Sequence, residues 1–175
     1  SPFYPTRDQS SPTFIVRFVN TMINKGLSKG SIDFLKSERL PLITTFFIPA
    51  IAASNSGLKD IYCVVTDADI NRVWVAKNSK KSKINYLVPT QHTVRRLIQY
   101  GVPKNRIFLT GFPLPKENLG GKNLQILKKD IGNRLPNLDP KNIFLPLYKD
   151  IIKRNIGSNN LNKKSDHQLT ITYVV

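Results

Sequence analysis

Residues 61–115 read IYCVVTDADINRVWVAKNSKKSKINYLVPTQHTVRRLIQYGVPKNRIFLTGFPLP, and this stretch decides the fold. Three short apolar runs lie in it, Ile61–Thr66, Ile84–Val88 and Arg106–Thr110. Each is rich in Val, Ile, Tyr or Phe and stops at a polar or small residue, the pattern of strands buried in a parallel sheet. Between the second and third, residues 91–100 carry Val94, Leu97 and Ile98 at helical spacing, with Thr90 placed to cap and Gly101 to end the helix. Strand, helix and strand in so short a span make a βαβ unit, whose crossover is right-handed almost without exception. Polar and small residues come after each strand: Thr66, Asp67 and Asp69, then Pro89 and Thr90, then Gly111 and Phe112. Open parallel sheets bind ligands at these carboxyl ends.

Working outward, the spacing predicts a helix after Ser11-Pro12, with Phe14, Ile15, Phe18, Val19, Met22 and Ile23 as a core-facing stripe and Gly26 as its stop. A second short helix is expected over Ser31–Arg39. A strand is expected over Pro41–Phe47, and a small-residue helix after Ile48-Pro49, closed by Gly57. This alternation implies an α/β fold, a Rossmann-like open parallel sheet with helices on both faces. Beyond Pro115 the pattern changes. A helix is expected over Asn123–Gly132, and another after Asp139-Pro140 that Pro146 would kink, then a polar linker over Lys153–Lys164. The final LTITYVV, Leu169–Val175, reads as a strand that leads into a further domain.

The chain of 175 residues is long enough to bury one ordinary core. Its charge is unusual: 27 Lys and Arg against 11 Asp and Glu, a formal net charge of +16. Such a field attracts polyanions, whether nucleic acid, anionic lipid or phosphorylated ligands. Lys77, Lys80, Lys81 and Lys83 crowd one loop beside Trp74, the single tryptophan. They read either as an anionic-lipid contact near the sheet's carboxyl edge or as a solvated loop. One cysteine, Cys63, excludes an internal disulfide, and its place in an apolar strand predicts a packed thiol. No apolar run approaches the roughly 20 residues of a spanning helix, so a cytoplasmic location is expected, peripheral on the inner face of a membrane.

His92 and His167 lie far apart without cysteine pairs, which argues against zinc. Asp67 and Asp69 have the spacing of a divalent-metal DxD, but three residues are a weak motif and no metal is expected. Asp67 alone suffices as a general base or as a turn cap. Neither GxxxxGK[ST] nor a strand-borne GxGxxG occurs, so no nucleotide-cradling loop is present in these residues. Nucleic acid is disfavoured as a partner, since no helix-turn-helix, zinc-finger or RNP-type pattern accompanies the charge.

The runs PLITTFFIPAIAAS, DIYCVVTDADINRVWVA and INYLVPTQHTVRRLIQYGVPKNRIFLTGFPLP together resemble the N-terminal domain of GT-B glycosyltransferases, in particular the monogalactosyldiacylglycerol synthase and processive diacylglycerol glucosyltransferase group. The resemblance rests on Val65-Thr66-Asp67, Trp74, Pro89-Thr90, Gly101-Val102-Pro103 and Gly111-Phe112-Pro113, in order and with preserved spacing over about 75 residues. It implies half of a GT-B fold, with residues 1–165 as an acceptor domain lacking its first strand and glycine-rich loop, and 166–175 as the start of a donor domain. It implies transfer of a sugar from a nucleotide-sugar to a lipid or glycolipid, without a metal or other cofactor. The nucleotide-sugar would bind in the donor domain, so the fragment would be inactive alone. Asp67 would be the catalytic base. Thr66, Asp69, Trp74, Thr90, Gly111, Phe112 and Pro113 would line the acceptor side, Gly111–Pro113 marking the approach to the hinge. The segment before Trp74 carries Asn71-Arg72 and lacks the histidine often found there in the lipid synthases. Alternatives are a GT-B-fold sugar-nucleotide epimerase and a non-enzymatic basic module that binds nucleic acid.

Overall fold

The computed structural model describes residues 9–161, which fall into two compact units divided between Pro113 and Leu114. The first unit holds α1 (Phe14–Asn24), α2 (Lys29–Ser37), β1 (Leu42–Thr44), α3 (Phe47–Asn55), β2 (Ile61–Val64), β3 (Ile84–Val88), α4 (Gln91–Gln99) and β4 (Ile107–Leu109). The four strands form one sheet in the order β1-β2-β3-β4, all parallel. This is the α/β class and open parallel sheet that the sequence implies, but the helices expected on both faces lie, among the described residues, on one of them.

Register sorts the strand residues onto two faces. Leu42, Ile61 and Ile84 stand side by side, as do Thr44, Cys63, Tyr86 and Ile107. With Val88 these point into the core, where α3 supplies Ala50–Ala53 and α4 supplies Leu97. Cys63 is fully buried there, and burial pushes its thiol up to about 12, so it is a packing group. Crossovers of one hand that step in one direction across a sheet place their connections on one face. The opposite face carries Ile43, 70% exposed, with Tyr62 and Phe108, and among the described residues it has no comparable cover.

Several boundaries are set by local chemistry. β3 and α4 lie where the periodicity puts them. Thr90 caps α4 by accepting the Thr93 N–H at 3.1 Å, and Gly101 ends it at φ +84°. A Cβ at Gly101 would also strike Ser79 and Ser10, so glycine serves close approach there as well as the turn. The strand expected over Pro41–Phe47 is only three residues long. Thr44 Oγ1 accepts the Phe46 N–H at 3.1 Å, which turns the chain, and α3 starts at Phe47 with Pro49 inside its first turn, where no backbone N–H is missed. Thr13, rather than Ser11, caps α1.

The stripe expected to face the core on α1 is a correction. Val16 and Ile23 are buried and Val19 half-buried, while Phe14, Ile15, Phe18 and Met22 are exposed. The inner face is Val16, Val19, Asn20 and Ile23, and Asn20 accepts a hydrogen bond from Asn55 of α3 at 3.1 Å. A helix apolar around most of its circumference does not reveal from spacing which side turns inward.

The second unit holds α5 (Gln125–Leu138), α6 (Phe144–Leu147) and α7 (Lys149–Ile156). Asp139 accepts the N–H groups of Ile143, Phe144 and Leu145 at 2.8–2.9 Å and so gathers the start of α6. The helix expected to stop at Gly132 continues to Leu138. Gly132 is buried inside it because a Cβ would overlap the carbonyl of Asn160, a close-approach role that sequence alone reads as a stop. The helix expected around Pro146 is broken at Tyr148 into α6 and α7. LTITYVV lies outside the described residues.

Candidate acceptor site at the carboxyl edge of the sheet

Parallel pairing of β2, β3 and β4 brings the residues after each strand to one edge. The Val65 N–H donates to Leu87 O at 2.8 Å and the Thr110 N–H to Val88 O at 2.9 Å, extending the ladder to the rim. Thr66 and Asp67, Thr90, and Gly111, Phe112 and Pro113 therefore share this edge, all exposed except Thr90, which is half-buried. Gly111 turns with φ +81°, outside the range comfortable for other residues.

The loop after β2 is fastened to α4 by a row of side chains. Thr90 and Thr93 donate to Ala68 O at 3.2 and 3.0 Å, and Tyr100 donates to Ile70 O at 2.9 Å. Arg96 grips Asp69 with two bonds, Nε to Oδ1 at 3.0 Å and Nη2 to Oδ2 at 3.1 Å. His92 Nε2 lies 3.1 Å from Oδ1, and the Ile70 N–H donates to the same oxygen at 2.8 Å. Burial raises the Asp69 carboxyl pKa, but hydrogen bonds from Arg96, Ile70 and His92, with the charge of Arg96, outweigh it. The group therefore titrates below the usual aspartate value of 3.8. Both Asp69 oxygens are thus occupied, and the expected acceptor contact becomes a clamp for its own loop. Asp67 differs: its carboxylate is exposed and takes no hydrogen bond from the described residues. The two carboxylates that looked like a pair in sequence do different work.

Because the folded pKa of Asp69 is depressed, its contribution to stability is complete above the ordinary aspartate range and is lost as pH falls through the folded value. We expect Asp69→Asn to be less stable than wild type at neutral pH and to converge with it in strong acid, as read by urea melts across that range. Parallel curves at every pH would show that Asp69 clamps nothing.

Trp74 is buried, not at the rim. Its ring packs on Phe47 at 5.4 Å and edge-on to Phe46 at 6.4 Å, and its carbonyl accepts from the buried Tyr86 hydroxyl at 3.0 Å. The exposed aromatic at this corner is Phe46, just beyond β1, where the sequence pattern alone reads the end of a strand. Arg72, buried beside Trp74, is a second residue that sequence reasoning missed. Its guanidinium donates to Ser10 O at 2.9 Å, Val75 O at 2.6 Å, Ala76 O at 3.2 Å and Lys77 O at 3.4 Å. Burial lowers its pKa. An arginine in an otherwise apolar RVWVA run is the signal that was available.

The lysine loop does not lie at the carboxyl edge. Lys83 immediately precedes β3, whose first residue Ile84 pairs with Ile61, the first residue of β2. Its N–H donates to Ser54 near the end of α3, and Ser79 touches Gly101 at the end of α4. Lys77, Lys80, Lys81 and Lys83 are all exposed; the loop that carries them crosses the sheet and ends at the amino edge. A count of residues from β2 could not show that crossing.

Among the described residues no helix is long and apolar enough to span a membrane, and no cluster of three or more His, Cys, Asp or Glu is placed to hold a metal ion. No curated protein and no solved structure matches the chain. A family model does: that for monogalactosyldiacylglycerol (MGDG) synthase matches residues 2–114, more than half of the chain, and the match ends where the first compact unit ends. The chain belongs to the monogalactosyldiacylglycerol synthase family, and with it to the glycosyltransferases that act on lipid.

Proposed function

We propose that the sheet unit is the acceptor half of a GT-B glycosyltransferase that moves a hexose from a nucleotide-sugar to the hydroxyl of a diacylglycerol-like lipid at a membrane surface. The observation that carries this reading is the family match over the same residues that build the sheet and its carboxyl edge. Asp67 is the group at that edge with both chemistry and freedom. It accepts the proton of the lipid hydroxyl as the oxygen attacks the anomeric carbon. The bond from that carbon to the diphosphate breaks, and the nucleoside diphosphate leaves with the electron pair. Thr66, Thr90, Gly111, Phe112 and Pro113 shape the acceptor side, with Phe46 as the apolar surface beside it. On this reading the nucleotide-sugar is bound by the donor half of the GT-B fold, not by the sheet unit.

The test is sugar transfer from labelled UDP-galactose or UDP-glucose to diacylglycerol in mixed micelles, read in the lipid extract. Residues 1–175 alone should label no lipid, and the native full-length protein should. Labelling by residues 1–175 alone would overturn the division into halves. No labelling by the native full-length protein with either donor would overturn the reaction.

A further inference from the structure

His92 stands at the carboxyl edge, on the first turn of α4 and two residues past Thr90, and the reaction above does not use it. Its ring is held by one nitrogen. Nε2 lies 3.1 Å from Asp69 Oδ1, and Asp69 is itself fixed by the Arg96 fork and the Ile70 N–H. Asp69 titrates below the usual aspartate value and is ionised at neutral pH. A carboxylate only accepts hydrogen bonds, so Nε2 carries the proton and the neutral ring keeps its lone pair on Nδ1. Nδ1 engages none of the described residues, and the side chain is 48% exposed. A carboxylate that fixes the tautomer and leaves the other nitrogen open gives the ring a defined role as an acceptor.

The neighbours of His92 divide into two kinds. Thr90 and Asp69 are committed to the strap between the β2 loop and α4. The Thr66 hydroxyl, the Asp67 carboxylate and His92 Nδ1 engage no described residue. The bonds from Thr90 and Thr93 to Ala68 O hold residues 66–69 against the first turn of α4, so these three groups belong to one short stretch of the rim. Diacylglycerol does not match them. It offers one hydroxyl, which goes to Asp67, and two ester carbonyls, which cannot donate to an imidazole lone pair. A sugar headgroup offers several hydroxyls, each both donor and acceptor.

We propose that His92 is a specificity residue of this edge: its Nδ1 accepts a hydrogen bond from a second hydroxyl of the acceptor, which makes a lipid with a polyhydroxyl headgroup the preferred acceptor over bare diacylglycerol. The inference rests on the carboxyl edge being the acceptor site and refines the lipid bound there. Asp67 still takes the proton of the attacking hydroxyl. Covering Nδ1 with a ligand that cannot donate strips its water and leaves the lone pair unpaired, which is how such a group selects for a hydroxyl. Asp69 is a positioning residue for this contact, since it sets which nitrogen is open.

The experiment titrates the ¹⁵N-labelled 175-residue chain, carrying His167→Gln so that His92 is the single histidine that reports. The probes are octyl glucoside below its micelle concentration and ethylene glycol mono-octyl ether, which has the same tail and one hydroxyl. In the free chain, at a pH where the ring is neutral, the imidazole spectrum should show the proton on Nε2. Octyl glucoside should move the Nδ1 resonance saturably, and the ether at equal concentration should not. His92→Gln keeps a donor for Asp69 and removes the Nδ1 acceptor. It should weaken octyl glucoside binding about five-fold, read at the Thr66 and Gly111 amides. If His92→Gln fails to fold, the Nδ1 response of the parent chain decides alone. A proton on Nδ1 in the free chain, no Nδ1 response to octyl glucoside, an equal response to the ether, or unweakened binding by a folded His92→Gln chain would overturn the proposal. Binding is read without turnover, so the two readings fail separately. A response at His92 with no sugar transfer by the native full-length protein would keep this contact and sink the reaction, and transfer with no response at His92 would do the reverse.

Discussion

Asp67→Asn will lower sugar transfer by at least about 100-fold in any form of the protein that turns over, while leaving its thermal unfolding unchanged. The size reflects what the carboxylate does in the proposed reaction. An amide of the same shape cannot take the proton of the attacking hydroxyl, and loss of a positioned base costs about 10²–10⁴ in rate. The absence of a stability effect comes from the structure: the Asp67 carboxylate is exposed and holds no hydrogen bond among the described residues, so none of their contacts depends on it. Asp69→Asn gives the contrast. It breaks the Arg96 fork and loosens the loop, so it should reduce stability and act on turnover only through Asp67's position. If Asp67→Asn transfers sugar at the wild-type rate in folded protein, the base lies elsewhere.

Arg72→Met will destabilise the first unit by about 3 kcal/mol, the largest single loss expected outside the apolar core. Methionine keeps much of the length and apolar stem, so the loss isolates the guanidinium. That group donates to four backbone carbonyls from two segments of chain: Ser10 on one side and Val75, Ala76 and Lys77 on the other. Removing it leaves buried acceptors unsatisfied, at about 1–3 kcal/mol each before water enters. Among the described residues the arginine is surrounded by carbonyl oxygens rather than a carboxylate, so its charge is dispersed over dipoles. Trp74, two residues on and buried, reports the unfolding directly by fluorescence in urea. A midpoint within error of wild type would show that water replaces the guanidinium without cost.

Asp67 and Arg72 also mark how far the sequence could be read. β3 and α4 were legible because each signal was local: a short apolar run over Ile84–Val88, a threonine placed to cap, and a glycine placed to end the helix. The parallel order came from the alternation of strands with connections. Thr66, Asp67, Thr90 and Gly111 were placed correctly on one edge, because the residues just beyond a parallel strand must lie at its carboxyl end. The failures were inferences about sides and crossings. The spacing of α1 suits two faces, and only contact with α3 chooses Val16, Val19, Asn20 and Ile23. The lysines were placed by their nearness to Asp69 in sequence, yet the chain crosses the whole sheet between Asp69 and Lys83. Asp69 itself looked like a ligand because its partners, Arg96 and His92, lie 27 and 23 residues further on (96 − 69 and 92 − 69). A stripe of His92, Arg96 and Tyr100 at four-residue spacing on α4 was the available sign that one helix face holds a polar loop.

The most direct test of the central claim is to titrate the ¹⁵N-labelled 175-residue chain with a short-chain diacylglycerol and monitor its amide resonances. Saturable shifts should gather at Thr66, Asp67, Thr90, Gly111 and Phe112, the carboxyl edge of the sheet. Shifts confined to the amino edge around Lys77–Lys83 or to the second unit, or none at all up to the solubility limit of the lipid, would contradict an acceptor site at that edge.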